Sequence, residues 1–249
     1  MPESGVADLT HGDVLRYEEM LRVTAAACRL GIRKVRVTGG EPLVRRGIVD
    51  FIGRLAGLPE KPEITLTTNG LLLAELAEEL KAAGLSRVNI SLDTLRPERF
   101  EELTRRSGLE KVLAGIEAAE RVGMLPIKLN VIPFADFNAD EIVDFARLTL
   151  DHPWDVRFIE FMPISADLEY ASKDGMPIME VESRLRTLGE LESLPPQPSS
   201  GPAQMYRLPG AKGRLGLIPS VSGHFCADCN RLRGMADGRV RGCLCVNDE

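Results

Sequence analysis

Cysteine is nearly absent from the first 225 residues of this 249-residue chain. Only Cys28 lies there; Cys226, Cys229, Cys243 and Cys245 fall within the last 24. Disulfide frameworks spread their cysteines through small secreted chains, so this distribution argues against one. It predicts a local metal site in a reducing compartment instead. Cys28, inside the helical stretch YEEMLRVTAAACRL, is expected to be a small core residue. Positive charge is also in deficit: the net charge is -6 and the isoelectric point about 5.3. No global field recruits nucleic acid, so any anion site must be local. No apolar run approaches the roughly 18 residues of a membrane span. The polar start MPESGVADLTHGD lacks a signal peptide's basic and apolar segments, so export is not expected and a cytoplasmic location is. There is no GxxxxGK[ST] loop and no GxGxxG fingerprint, which argues against P-loop and dinucleotide-fold chemistry. What remains is 44% hydrophobic and 27% charged, ordinary for one large α/β domain.

Strand-like and helix-like segments alternate. Strands are predicted at Lys34–Thr38, Ile64–Thr67, Arg87–Ser91, Ile127–Val131 and Val156–Glu160. Helices are predicted over roughly 16–30, 46–57, 71–83, 108–122 and 139–150. That order implies a parallel sheet with right-handed crossovers. Lys34, Arg36 and Thr38 share one strand face, as do Thr65 and Thr67, Asn89 and Ser91, and Lys128 and Asn130. The opposite positions are apolar, including Val35, Leu66, Ile90 and Leu129. A sheet covered by helices on both sides would read more uniformly apolar. The pattern predicts helices outside and a wet functional surface inside: an incomplete (β/α) barrel rather than an open sheet with one solvated face. The first predicted element is a helix, so the first strand of the barrel is expected to be missing, leaving an edge. Beyond Glu160, a helix is predicted over 179–190, a Pro/Ser/Gly-rich connector over 191–204, and short strands at Gln204–Leu208 and Arg214–Ile218.

The stretch GHFCADCNRLRGMADGRVRGC, residues 223–243, carries Cys226-x2-Cys229-x13-Cys243 and four arginines. Three thiolates leave a tetrahedral zinc site open, to be closed by Cys245, His224, Asp228, water or substrate. A 4Fe-4S cluster with one open iron fits the same spacing, and spacing does not choose between the two metals. Arg231 and Arg233 flank Leu232 and point the same way if the segment is extended. Guanidinium groups match phosphate oxygens. With Lys34, Arg36 and Lys128 on the polar strand face, they are expected to form one anion pocket.

Taken in order, VRVTGGEPLVRR, ITLTTNG, NISLD, IKLN, RFIEFMP and FCADCNRLRGMADGRVRGCL resemble the GTP 3′,8-cyclase family. These are radical S-adenosylmethionine enzymes that begin molybdenum-cofactor synthesis. The resemblance runs through nearly the whole chain. It implies an α/β fold: an incomplete (β/α)6 TIM-like barrel of the radical SAM type over 1–163, and a C-terminal GTP and cluster-binding extension over 164–249. It implies that Gly40, Ser91 and Met162 contact S-adenosylmethionine. It assigns Arg36, Thr67, Lys128, Arg231, Leu232 and Arg233 to GTP, and Cys226, Cys229 and Cys243 to a C-terminal 4Fe-4S cluster whose open iron meets the guanine. Cys245 falls outside the ligand pattern. In the family, a second, N-terminal 4Fe-4S cluster injects an electron that cleaves S-adenosylmethionine to methionine and a 5′-deoxyadenosyl radical. The radical takes the 3′ hydrogen of GTP, and the ribose then bonds to C8 of guanine.

The resemblance also implies a downstream cyclic pyranopterin monophosphate synthase and allows a homodimer; it implies no nucleic-acid or membrane partner. The family's CxxxCxxC motif is not in this sequence, and the chain stops six residues past Cys243. Truncation at both ends is therefore the expectation, with radical generation lost. Two other classes fit parts of the chain: a structural or regulatory metal-binding module, and a radical enzyme acting on a peptide or another small molecule.

Overall fold

The computed structural model describes residues 12–162, 175–196, 201–223 and 229–243. Helix α1 (Tyr17–Arg29) precedes strand β1 (Lys34–Val37). Then come α2 (Ile48–Ala56), β2 (Glu63–Thr68), α3 (Leu73–Ala82), β3 (Arg87–Ser91), α4 (Pro97–Thr104), α5 (Leu109–Arg121), β4 (Lys128–Val131), α6 (Ile142–Asp151) and β5 (Asp155–Ile159). The remainder contributes α7 (Ile178–Leu185), β6 (Glu192–Ser193), β7 (Gln204–Arg207), β8 (Arg214–Ile218), β9 (Arg233–Gly234) and β10 (Val240–Arg241).

One eight-stranded sheet runs β1-β2-β3-β4-β5-β8-β7-β6. The first six strands in that order are parallel, and β7 and β6 are antiparallel. The expected α/β architecture with a mostly parallel sheet is present. Strand β1 is one edge of the sheet and β6 the other. The second half of the chain supplies the sixth parallel strand: β8 pairs with β5 from Asp155↔Arg214 to Ile159↔Ile218. Its strand character was legible; its parallel partner was not, because pairing across more than fifty residues leaves no local pattern. Helix α4 was not anticipated. Only Phe100 of its residues is buried, so it lacks the apolar stripe that marks its neighbours.

Alternation along the strands sets the layers. Ile64, Leu66, Val88, Ile90, Leu129, Val131, Val156, Phe158, Leu215 and Leu217 are all buried and form one core with the apolar stripes of the helices. Helix α2 adds Ile48, Phe51, Ile52 and Leu55, and α5 adds Leu109, Val112, Ile116 and Ala119. Each of the Val, Leu, Ile and Phe side chains contributes about 1.5–3 kcal/mol when fully buried. Cys28 is buried, as expected, and burial pushes its thiol pKa up. The other sheet face carries the polar set.

Helices α3 and α5 meet closely at Gly115. A Cβ there would lie 2.7 Å from the Gly70 carbonyl oxygen and 3.0 Å from Leu73 Cβ, and neither can retreat without moving the backbone that enters α3. Gly115→Ala is expected to cost about 1–3 kcal/mol through overpacking. A thermal or denaturant melt that leaves stability unchanged would contradict this packing.

Candidate active site

Six parallel strands begin with a charged residue, and all six line one cavity of about 360 Å³: Lys34, Glu63, Arg87, Lys128, Asp155 and Arg214. Register places Lys34 beside Glu63, and Asp155 between Lys128 and Arg214. Both carboxylates are committed. Glu63 meets Arg87 at 2.7 Å and Lys34 at 3.4 Å. Asp155, itself 1% exposed, accepts from Nε and Nη2 of Arg214 at 2.8 and 2.9 Å. One step further along the same face stand Arg36 and Arg157. Six cations therefore share two carboxylates.

The excess charge falls on Lys128 and Arg157, for which there is no side-chain hydrogen bond or salt bridge among the described residues. Lys128 is 8% exposed. Burial first, then Arg157 and Arg87, push its pKa down to about 7, against a small opposing pull from Asp155. Arg157 is equally buried, and its Nε has no hydrogen-bond partner among the described residues. Burial lowers its pKa to about 10, with Arg36 and Arg87 adding to the effect and Asp155 opposing it. Gly216, opposite Arg157 in register, leaves room for this side chain; a Cβ there would sit 3.0 Å from Arg157 Cγ. An orphaned donor inside a cationic cavity is the geometry of an anion site.

The β9–β10 hairpin brings the C-terminal arginines to this cluster. Desolvation, then the charges of Arg231, Arg87 and Arg233, lower the pKa of Arg36. The hairpin pairs Arg233 with Arg241, and the Leu15 amide donates to the Ala236 carbonyl at 2.7 Å, tying it to the start of α1. Leu232 is 65% exposed. Cys229 and Cys243 flank the open end of the hairpin; Cys226, His224, Asp228 and Cys245 lie outside the described residues. Backbone and side-chain hydrogen bonds from Arg231 lower the Cys229 thiol pKa, helped by the charges of Arg231 and Arg233. A thiol biased toward thiolate suits a soft metal centre. Among the described residues alone, no three His, Cys, Asp or Glu side chains converge for a metal.

Gly40, Ser91 and Met162 stand at the opposite, carboxyl end of the sheet, just after β1, at the end of β3 and just after β5. Among the described residues, no atom outside the turn lies within 4 Å of where a Cβ on Gly39 or Gly40 would be. Thr67 lies between the two ends; its hydroxyl accepts from Asn89 Nδ2 at 3.3 Å.

Two family profiles cover most of the chain: Radical SAM superfamily over residues 5–149, and Molybdenum Cofactor Synthesis C over 154–249. The GTP 3′,8-cyclase of Alkaliphilus metalliredigens (strain QYMF) is 47% identical across 100% of this chain and 77% of its own length. That of Geobacter sulfurreducens is 47% identical across 100% of this chain and 76% of its own. The chain belongs to the GTP 3′,8-cyclase family. A radical SAM methyltransferase from Sphaerobacter thermophilus shares the fold at a TM-score of 0.56 and 16% identity, covering 92% of this chain and 62% of that one. No helix among the described residues is long and apolar enough to cross a membrane.

For a member of this cyclase family, several cavity residues escaped the sequence reading. Arg157 lies within the segment RFIEFMP, and Arg87, Glu63, Asp155 and Arg214 open their strands, yet none carries a motif that marks it as a site residue. Their signal was available: each alternates with a buried apolar residue on its strand. Charge at a strand start is common on exposed surfaces, which masked it.

Anion affinity should depend on pH through Lys128. The ammonium is present below about pH 7 and is lost as pH rises through that value, so binding an anion above it requires proton uptake. Sulfate keeps its charge across this range; its affinity is expected to fall by up to about tenfold per pH unit above about pH 7. Titration by calorimetry checks this, and Lys128→Arg should flatten the profile.

Proposed function

We propose that this chain carries the substrate-binding and C-terminal cluster machinery of GTP 3′,8-cyclase, the radical SAM step of molybdenum-cofactor biosynthesis. The cationic cavity, with Arg36 beside it and Arg231 and Arg233 added from the hairpin, is the observation that carries the proposal. Such an excess of buried positive charge calls for a ligand bearing several negative charges, and a nucleoside triphosphate provides them. Lys34, Arg36, Lys128 and Arg157, with Arg231 and Arg233 from the hairpin, would hold the phosphates, and Thr67 would add a hydrogen bond. Leu232, exposed between the two arginines, would face the base.

Cys226, Cys229 and Cys243 would hold a 4Fe-4S cluster, which supplies an open iron where the guanine can be fixed. Gly40, Ser91 and Met162 would hold S-adenosylmethionine at the carboxyl end of the strands. Cofactor and substrate then occupy opposite ends of one polar face. The work of the protein is to orient the ribose between them and to keep water away from a reactive carbon centre. The family assignment favours this over a metal-binding regulatory module. The reducing compartment such thiols need is the cytoplasm.

Anaerobic reconstitution with iron and sulfide tests the proposal. The expected product is brown and holds iron that Cys229→Ser or Cys243→Ser removes. A colourless protein with one zinc would overturn it. Arg231→Ala should weaken GTP binding about tenfold or more, the worth of a charge-assisted hydrogen bond; unchanged affinity would remove Arg231 from the site.

A further inference from the structure

Three carboxylates at the carboxyl end of the sheet share an arrangement that the proposed chemistry does not use. Each follows a strand by one to four residues, and each reaches sideways to the end of the next strand in the sheet. Glu41, after β1, accepts from Thr68 Oγ1 at 2.7 Å and from the Asn69 amide at 2.7 Å, at the end of β2. A further bond, from the Leu43 amide at 3.0 Å, fixes its own turn. Asp93, after β3, accepts from the Ile132 amide at 2.7 Å, just past β4. Buried Asn138 reinforces that seam by donating to the carbonyls of Asp93 and Ile132 at 2.7 and 2.9 Å. Glu160, after β5, accepts from the Val221 and Ser222 amides at 2.8 and 2.7 Å and from Ser222 Oγ at 3.1 Å, just past β8.

None of the three forms an ion pair with a cation among the described residues. Their oxygens are held mainly by backbone N–H groups and hydroxyls of the neighbouring loop; Glu160 also accepts from the Ile178 amide at 3.4 Å, and burial raises the Asp93 pKa to about 6 against the Ile132 hydrogen bond. Glu160 is 7% exposed. Burial pushes its carboxyl pKa up, but the Ser222 and Val221 hydrogen bonds outweigh that and leave it below the usual range. A salt bridge holds two side chains; these contacts hold main chain, which is what must be still if a loop is to present a ligand contact.

Their neighbours in sequence give the pattern its meaning. Gly40 precedes Glu41, Ser91 lies two residues before Asp93, and Met162 two after Glu160. We infer that Glu41, Asp93 and Glu160 are a set of positioning residues, each locking the loop that carries one proposed S-adenosylmethionine contact to the adjoining strand end. Glu160 has a second reach. The turn it holds, Pro219–Gly223, closed by the Gly223 amide on the Pro219 carbonyl at 3.2 Å, leads toward the cysteine segment. The inference rests on the S-adenosylmethionine reading proposed above.

Isosteric variants separate positioning from general scaffolding. In Glu41→Gln, Asp93→Asn and Glu160→Gln, amide hydrogen exchange is read at the clamped positions. Exchange is expected to quicken about tenfold at Asn69 in the first, at Ile132 in the second, and at Val221 and Ser222 in the third, with the rest of the sheet unchanged. S-adenosylmethionine affinity of the reconstituted chain should fall about tenfold in each, while sulfate binding at the amino-end cavity stays within twofold. Unaltered exchange would overturn the inference, as would acceleration across the whole sheet, loss of the fold, or equal loss of both ligands. Should the unaltered chain bind no S-adenosylmethionine, the cofactor reading of this rim fails, and the exchange pattern alone decides whether the clamps exist.

Discussion

Lys128 and Arg157 lie in the interior of a parallel sheet with too little negative charge around them. Burying an unpaired cation is among the costliest things a fold can do. The sheet here gathers four cations at the start of its strands and Arg36 and Arg157 further along the same face, and gives them Glu63 and Asp155, each already committed to arginine or lysine. The apolar core behind the sheet supports that cost, because the opposite face of the parallel strands packs into one core with the helices. The organisation of the site follows from this imbalance. A cavity that repels itself is held open for an anion, and the C-terminal hairpin adds Arg231 and Arg233 to the same field rather than cancelling it.

The polar face is used at both ends. Its amino end is a charged floor; its carboxyl end is a rim of turns in which carboxylates hold backbone amides. The division has a physical basis. Side chains pointing inward from the strand starts are fixed by register and can carry charge in set places. The loops after the strands must be stiffened separately, since no ladder of hydrogen bonds continues there. The proposed substrate and cofactor contacts divide along the same line, and the ribose would lie where they meet.

The second half of the chain is not an appendage. Strand β8 completes the parallel set, supplies the Arg214 that neutralises Asp155, and ends in the turn held by Glu160. The Cys229 thiol is tuned by Arg231 two residues away, so the group proposed to hold metal and the groups proposed to hold phosphate share one short hairpin.

Much was legible in the amino-acid order. Period-two alternation marked β1 to β5 and which face of each was polar, because side-chain direction on a strand depends only on parity. Apolar spacing marked most of the helices; α4 escaped because it buries a single large side chain. The cysteine–arginine segment and the ordered motifs pointed to the family, since those residue types at those intervals are a chemical requirement independent of context. Tertiary structure decided what depends on distance between segments remote in sequence: that β8 lies beside β5, that Arg157 is buried with an idle donor, that Lys128 is surrounded by its own kind, and that Glu41, Asp93 and Glu160 each hold a neighbouring loop. Burial and charge coupling are properties of neighbours in space, and a linear chain records neighbours only along itself.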